Sequence, residues 1–447
     1  MAHQPLTNLA RSIFAHALGA CDVGAAFGRH VWARPGSIEV RGALVDVSRY
    51  REVRVAAVGK AADAMMACAA PMLDGSGLGG APRRGLIVAH TLESTAPPPW
   101  AGHIVGGHPI PDARSLEAGR RLLELFDGCT PQTLAVFLFS GGGSALAEWP
   151  LDPRLSVEDV AAVNELLVRS GLPIRSINAV RKHLSAIKGG RLAAHAAPAG
   201  QLTLLVSDVA PGDLQSIASG PTIADETTVA DVTGVLDGHG LRDRLPPLVR
   251  DALAPGALVE TPKPADLAHL RTWVVPLLDC SDAAIEAARE ARRHAAAVEL
   301  FEPGDGPLEE IVDGHLSALE RLLHSNAGRL CAVVSAGEVT LEVTGSGLGG
   351  RNQQTVLAAL VRARELCPSA REVALLSAGT DGRDGPTDAA GAVAGLEALA
   401  EAAVRGLEPG VFLRYNDAYN FFDPLGALIR TGPTGTNVRD VRVFLGR

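Results

Sequence analysis

The chain has 447 residues, is 47% hydrophobic but only 4% aromatic, and carries a formal net charge of −9. At roughly 100–200 residues per domain the length suits two or three domains, with two favoured, and a core of Val, Leu and Ala fits layered α/β proteins. The negative sign excludes a general nucleic-acid or anionic-membrane binder, although a few cations and backbone amides suffice to hold an anion in one cleft.

Cys21, Cys68, Cys129, Cys280, Cys331 and Cys367 are scattered, with no CxxC pair. Neither a zinc site nor a disulfide framework is expected, and reduced thiols in the cytoplasm fit best. No signal-peptide pattern is visible, and no apolar run approaches the ~20 residues that span a bilayer.

Residues 1–35 are expected to be helical, with Leu9, Ile13, Ala17 and Leu18 at helical spacing. Short apolar runs then alternate with glycine-rich turns. Val53–Val58 precedes Gly59-Lys60 and a helix from Ala61, and Leu86–Ala89 is a further strand. Leu134–Phe139 precedes Ser140-Gly141-Gly142-Gly143-Ser144, and Leu202–Val206 precedes Ser207-Asp208. Such continuous runs point to strands buried on both faces, hence to a parallel sheet. Ser156-x-x-Asp159 reads as a capping box with Gly171 as the stop, and Ser176–Ile187 as a helix ended by Gly189-Gly190. The stretch 242–268, with Pro246, Pro247, Pro255, Pro262 and Pro264, reads as the connection between domains. Beyond it the pattern restarts with a strand at Trp273–Leu278 and a helix capped by Ser281 or Asp282. Strands at Cys331–Ser335 and Val339–Val343, a helix at Asn352–Leu366, and strands at Val373–Ser377 and Val441–Leu445 follow.

Several turns carry chemistry. In Ser140–Ser144 three glycines let successive N–H groups converge between two hydroxyls, which makes an anion-binding nest at a strand end. Lys60 starts a helix, where its charge opposes the helix dipole unless an anion shares the site. No G-x-x-x-x-G-K-[ST] occurs, so a kinase here is not of the P-loop type. Asn178 and Arg181 stand three apart and share a helix face among Lys182, Lys188 and Arg191; a solvated basic face is the plainer reading. Asp208, at a strand end, suits Mg²⁺ or a hydroxyl proton, or else caps the next helix. Gly345–Gly350 leads into Arg351-Asn352, and arginine holds phosphate or carboxylate with two parallel bonds. The loop 379–388 gathers Asp381, Asp384 and Asp388 as a cation site or an exposed acidic turn, and Thr431–Asn437 is rich in small hydroxyls and amides, among them Thr436 and Asn437. Gly345-x-Gly347-x-x-Gly350 also matches a dinucleotide fingerprint, but no acid ends the next strand.

Taken together these stretches resemble the glycerate 2-kinase family, whose C-terminal part is the MOFRL domain. The likeness includes Gly59–Ala62, Gly107–Asp112, Ser140–Ser144, Ile177–Leu192, Ser207–Val209, Ile217–Thr222, Gly349–Gln353, Gly379–Thr387 and Thr431–Asn437. The resemblance implies two α/β domains: a Rossmann-like one with a parallel sheet over 1–258 and a second over 265–447 containing the MOFRL region at about 330–445. The active site is then expected in the interdomain cleft. The implied reaction moves the γ-phosphoryl of ATP to the 2-hydroxyl of D-glycerate with Mg²⁺, giving 2-phosphoglycerate and ADP. Partners would be small molecules, with no nucleic acid and no membrane, and the protein a monomer or homodimer. Lys60 and Arg351 match the lysine and arginine that members use. Asp208 is expected to orient the hydroxyl or hold the metal, with Asp381 or Asp384 second for the metal. The nest Ser140, Gly141, Gly142, Gly143 and Ser144, with Asn178, Arg181, Asn352, Thr436 and Asn437, is expected to bind glycerate or nucleotide. Gln354 and Ala418 stand where the family leads one to expect Glu and Ser. The rival reading is an NAD(P)H-dependent hydroxypyruvate reductase.

Overall fold

A computed structural model gives the fold and describes residues 5–91, 97–254 and 256–447. Residues 1–4 of the expected first helix and Pro255 of the proline-rich stretch lie outside them. The chain forms two compact units, one of Ala26–Leu277, the other of the chain up to Ala25 together with Leu278–Arg447.

The Ala26–Leu277 unit opens with a short antiparallel meander, β1 (Val31–Arg34), β2 (Ser37–Val40) and β3 (Ala43–Asp46), where the helical spacing had predicted helix to residue 35. Its main sheet contains β4 (Glu52–Val58), β5 (Arg83–Ala89), β6 (Ala101–Val105), β7 (Thr133–Phe139), β8 (Gly200–Val206) and β9 (Thr272–Leu278), in the order β6-β5-β4-β7-β8-β9. β4 pairs in parallel with β5 and β7, and the pairs β5–β6 and β7–β8 are parallel too. Every residue of β7 and β8 is buried, as their unbroken apolar runs require. From β4 the chain winds outward through β5 and β6, then returns to β7 and winds the other way. The β4/β7 border is therefore the topological switch point, where open α/β sheets bind ligands beyond the carboxyl ends of their strands. Ser156 and Asp159 form the expected capping box, on the helix Val157–Arg169.

The other unit holds a mixed sheet of β10 (Ala297–Leu300), β12 (Cys331–Ala336), β17 (Asp440–Gly446), β14 (Val373–Gly379), β15 (Gly391–Ala394) and β16 (Leu428–Ile429), in that order, beside a two-stranded pair of β11 (Gly306–Pro307) and β13 (Val339–Thr340). β10 and β12 are parallel, and the remaining neighbours of the large sheet are antiparallel. The helices Leu308–Ser325 and Arg351–Leu366 pack on the face that carries Val333, Leu375 and Phe444.

The division differs from 1–258 and 265–447 in two places, for reasons that are physical. β9 is the edge strand of the first sheet, beyond the proline-rich stretch rather than before it, and Gln201 N–H donates to Arg271 C=O at 2.9 Å where it joins. The helix Leu6–Ala20 buries Leu6, Ala10, Ile13, Phe14 and Ala17 in the other unit, and Arg11 donates to Leu428 C=O at 3.2 Å. The helix after β9 is capped by Asp279, with Asp282 completing a capping box, not by Ser281 or Asp282. No helix among the described residues is long and apolar enough to cross a membrane.

Candidate active site

The parallel pairing Val58↔Phe139 brings Gly59-Lys60 and Ser140–Ser144 out side by side at the switch point. Lys60 N–H donates to Gly141 C=O at 2.9 Å, and Ser140 N–H donates to Val58 C=O at 3.1 Å, so the two turns are tied to each other. Gly142 has φ +83, a left-handed conformation that glycine adopts without penalty. A Cβ there would stand 3.2 Å from the His108 ring and 3.3 Å from Lys60 Cγ, so lysine and imidazole share the mouth of the nest. Burial, the Lys60 charge and His90 lower the His108 pKa, which favours the neutral ring. Half-buried Asp208 lies against Gly141, where any Cβ would overlap its carboxylate.

The two hydroxyls of the nest part company. Ser140 Oγ accepts from Ala61 N–H at 3.0 Å, so it caps the helix Ala62–Leu73. Ser144 Oγ lies 2.7 Å from Ser219 Oγ, and Ser219 donates to Asn178 Oδ1 at 3.3 Å. This hydroxyl–hydroxyl–amide row meets the loop in which Ala218 and Ser219 both have positive φ, at +50 and +60. Such backbone is costly outside glycine and concentrates at functional sites.

Asn178 thus joins the nest loop, but Arg181 takes another direction. It lines a narrow cavity with Pro150, Leu155, Val163 and Val249, and burial holds its guanidinium below the ordinary arginine value despite the Glu148 charge. Nor is its helix a solvated basic face. Lys182 is buried on Asp225 at 3.1 Å, and Lys188 is buried on Glu148. Glu148 also accepts from Ser185 Oγ at 2.5 Å.

In the other unit Arg351 begins the helix Arg351–Leu366 and lines a cavity of about 690 Å³ with Gly347, Asp381, Arg383 and Pro386 among its walls. Arg351 Nε donates to Asp440 Oδ2 at 2.6 Å, and Nη2 donates to Glu338 Oε1 at 2.9 Å. Burial acts against its charge, but Asp440, Glu338 and Asp384 outweigh it and hold the pKa above the ordinary arginine value.

Asp384 is not an exposed acid. Its oxygens accept from Asn352 N–H at 3.0 Å and Gln353 N–H at 2.8 Å, so it caps this helix from a distant loop. Burial pushes its pKa up to about 7, helped by Asp440 and opposed by the hydrogen bonds from Asn352 and Gln353. A Cβ on Gly350 would overlap the Asp384 carboxylate, and with Asp384 on its N–H groups this helix start is occupied by a carboxylate of the chain itself, where the dinucleotide fingerprint places a pyrophosphate. Asn352 is buried and occupied, giving its amide to Asp384 at 3.3 Å and accepting from Ser377 Oγ at 2.6 Å. Asn437 Oδ1 accepts from Arg439 N–H at 3.0 Å, whereas the buried Thr436 hydroxyl has no hydrogen-bond partner among the described residues. Asp381 Oδ1 accepts from Arg383 N–H at 3.0 Å on the cavity wall.

A family model described as a domain of unknown function, DUF4147, matches residues 9–254, and one described as the MOFRL family matches residues 331–440. The D-glycerate 2-kinase of Thermotoga maritima is 35% identical over 401 residues, covering 88% of this chain and 90% of that protein. The crystal structure of a glycerate kinase from the same organism superposes with a TM-score of 0.81 at 32% identity, over 99% of both chains. The chain belongs to the glycerate 2-kinase family. It is an enzyme of that family, a phosphotransferase. A protein of Agrobacterium vitis named putative hydroxypyruvate reductase is also 35% identical, over 76% of each chain.

In this glycerate 2-kinase family member two residues beyond the expected set stand in the site. Ser219 links Ser144 to Asn178, and His108 shares the nest mouth with Lys60. Both lie in motifs visible in the sequence, Ile217–Thr222 and Gly107–Asp112, but nothing in their spacing says which side chain turns inward. The Gln354 departure has a structural reason. Its amide donates to Leu413 C=O at 2.6 Å, a bond that an ionised glutamate cannot make.

Proposed function

We propose that this enzyme transfers the γ-phosphoryl group of ATP to the 2-hydroxyl of D-glycerate, giving 2-phosphoglycerate and ADP. The observation that carries the reading is Lys60 tied to the glycine nest at the sheet's switch point, in a chain of this family. Phosphoryl transfer asks little covalent chemistry of a protein; it asks for positioning and charge neutralisation.

We assign the nest to the glycerate carboxylate, because Asp208, the candidate acceptor of the hydroxyl proton, borders Gly141 of the same loop. Ser144, Ser219 and Asn178 offer a row of small polar groups beside it. The 2-hydroxyl oxygen forms a bond to the γ-phosphorus as the bond to the β–γ bridging oxygen breaks. The hydroxyl proton passes to Asp208, and ADP leaves. Lys60 and Arg351 are proposed to neutralise charge on the transferring group. His108, held neutral, donates or accepts a hydrogen bond without adding a repelling charge to Lys60.

Mg²⁺ commonly takes one or two carboxylates and completes its shell with substrate phosphates and water. Asp208 and Asp381 each fit that demand, and no group of three or more His, Cys, Asp or Glu suited to a metal occurs among the described residues. Asp384 does not fit, since its oxygens are held by the helix N–H groups. When bound, Mg²⁺ supplies charge neutralisation on the phosphate oxygens.

Phosphorus NMR of the product tests the regiochemistry, with a 3-phosphorylated product overturning it. Lys60→Ala and Arg351→Ala should each lower kcat by on the order of 10²-fold or more. Near-normal kcat in both variants would remove the mechanism.

A further inference from the structure

Arg351 is useful only if its guanidinium is aimed, and the structure contains the parts that aim it. Arginine carries five N–H donors in a planar fork. Asp440 takes the Nε edge, with Nε to Oδ2 at 2.6 Å and Nη2 to Oδ1 at 3.3 Å, and Glu338 takes Nη2 at 2.9 Å. No described residue accepts a hydrogen bond from Nη1, and Arg351 lines the 690 Å³ cavity with its side chain 36% exposed. Two carboxylates therefore hold one edge of the fork and leave the other uncommitted.

The buried member of this brace is anchored unusually well. Asp440 opens β17, the strand clasped between β12 and β14, and sits opposite Gly379 in the ladder. Its C=O accepts from Gly337 N–H at 3.0 Å. Arg442, two residues on, lies on the same face of the strand and is buried, and the Asp440 charge favours its charged guanidinium against the cost of burial. Arg442 is itself held by Gly337 C=O at 2.9 Å and by Ser335 Oγ at 2.8 Å. Ser335 completes its bonding at His315 Nε2, 2.6 Å away, while His315 Nδ1 faces Ile311 C=O at 2.6 Å. Because Ile311 C=O can only accept, Nδ1 carries the proton of the neutral ring. Ser335 then donates to Nε2 and accepts from Arg442 Nε, so one hydroxyl joins the imidazole to the guanidinium.

We propose that Asp440, with Glu338, is a positioning residue for phosphoryl transfer: the two carboxylates fix the Arg351 guanidinium so that its Nη1 edge meets the phosphoryl group. Asp440 touches neither substrate and acts through Arg351. The inference rests on the assignment of Arg351 to the transferring group, and the experiment separates the two.

Steady-state kinetics are measured for Arg351→Ala, Asp440→Asn and the double variant, each with and without guanidinium ion at concentrations that circular dichroism shows to leave the fold intact. Loss of aim in Asp440→Asn should lower kcat by about 10–100-fold while both KM values stay within about twofold, as for a catalytic group displaced by about an ångström. Free guanidinium should restore activity to Arg351→Ala at least about tenfold, because the brace still holds it, and should not restore the double variant. A merely structural Asp440 would not control that rescue. If Arg351→Ala keeps near-normal kcat, the assignment of Arg351 fails. If Arg351→Ala collapses but Asp440→Asn is near normal, or if guanidinium rescues the double variant as well as the single one, the positioning role is overturned. Should Asp440→Asn fail to fold, half-exposed Glu338→Gln takes its place. A kcat fall of about 3–10-fold is then expected, and an unchanged kcat overturns the proposal.

Discussion

Lys188→Met should destabilise the Ala26–Leu277 unit and, through it, loosen the candidate site. The Lys188 side chain is 1% exposed and its ion-pair partner Glu148 is 6% exposed. Burial pulls the Lys188 pKa down and Glu148 only partly offsets it, so the pair is a desolvated one. Removing the cation strands the carboxylate, which costs about 3–5 kcal/mol. Glu148 Oε1 still accepts from Ser185 Oγ at 2.5 Å and Trp149 N–H at 2.9 Å. Glu148→Gln keeps an oxygen for those donors and removes the charge, so Glu148→Gln/Lys188→Met should recover about 2 kcal/mol of the loss. The same segment presents Gly189 N–H to Ser219 C=O at 3.0 Å and Gly190 N–H to Gly220 C=O at 2.8 Å, so its loosening should also raise KM for glycerate. Urea unfolding followed by far-ultraviolet circular dichroism measures the first effect, fitted to the transition of this unit because a two-unit chain need not unfold in one step. A Lys188→Met variant as stable as the wild type, or a double variant less stable than the single one, would refute the reasoning.

Three further outcomes are expected. The Asp384 pKa of about 7 lies above the value of 3.8 expected when the chain is unfolded, so the folded state holds the proton more tightly. Its contribution is full below about pH 4 and is lost as the pH rises through about 7. The groups facing it are the Asn352 and Gln353 N–H, the Asn352 amide, and the charges of Arg351 and Asp440. Urea midpoints across pH 4–8 should show this decline in the wild type and a flatter course in Asp384→Asn. Gly141→Ala would place a methyl where the Asp208 carboxylate stands; kcat should fall about as far as in Asp208→Asn, by on the order of 10²-fold, with far-ultraviolet circular dichroism unchanged. Gln354→Glu would set a carboxylate against Leu413 C=O at a buried site, costing about 1–3 kcal/mol in urea unfolding.

Much of the first unit was legible in its pattern. Continuous apolar runs such as Leu134–Phe139 have one stable solution, a strand covered on both faces, and a glycine-rich turn after such a run marks a ligand-binding strand end. Lys60, Ser144 and Asp208 could be named from such turns, and Asn178 from its helical spacing with Arg181, before their partners were known. The meander Val31–Asp46 was not legible, because Val23–His30 is helical and Val31–Arg34 continues it without a proline or glycine. The acidic loop 379–388 was read as a cation site or an exposed turn, whereas burial of Asp384 against a helix start some 30 residues earlier decides its role.

The amino-acid sequence by itself determined the fold class and the glycine-rich turn at a strand end, because these depend on residues within a few positions of one another. Tertiary structure alone decided which polar groups are spent on the protein. Ser140 and Asp384 accept from backbone N–H groups, Asn352 accepts from the Ser377 hydroxyl, Lys182 and Lys188 neutralise buried acids, and Asp440 joins Arg351 from 89 residues away. The physical reason is that a buried polar group must find its partner wherever folding brings one, and no local spacing encodes that meeting.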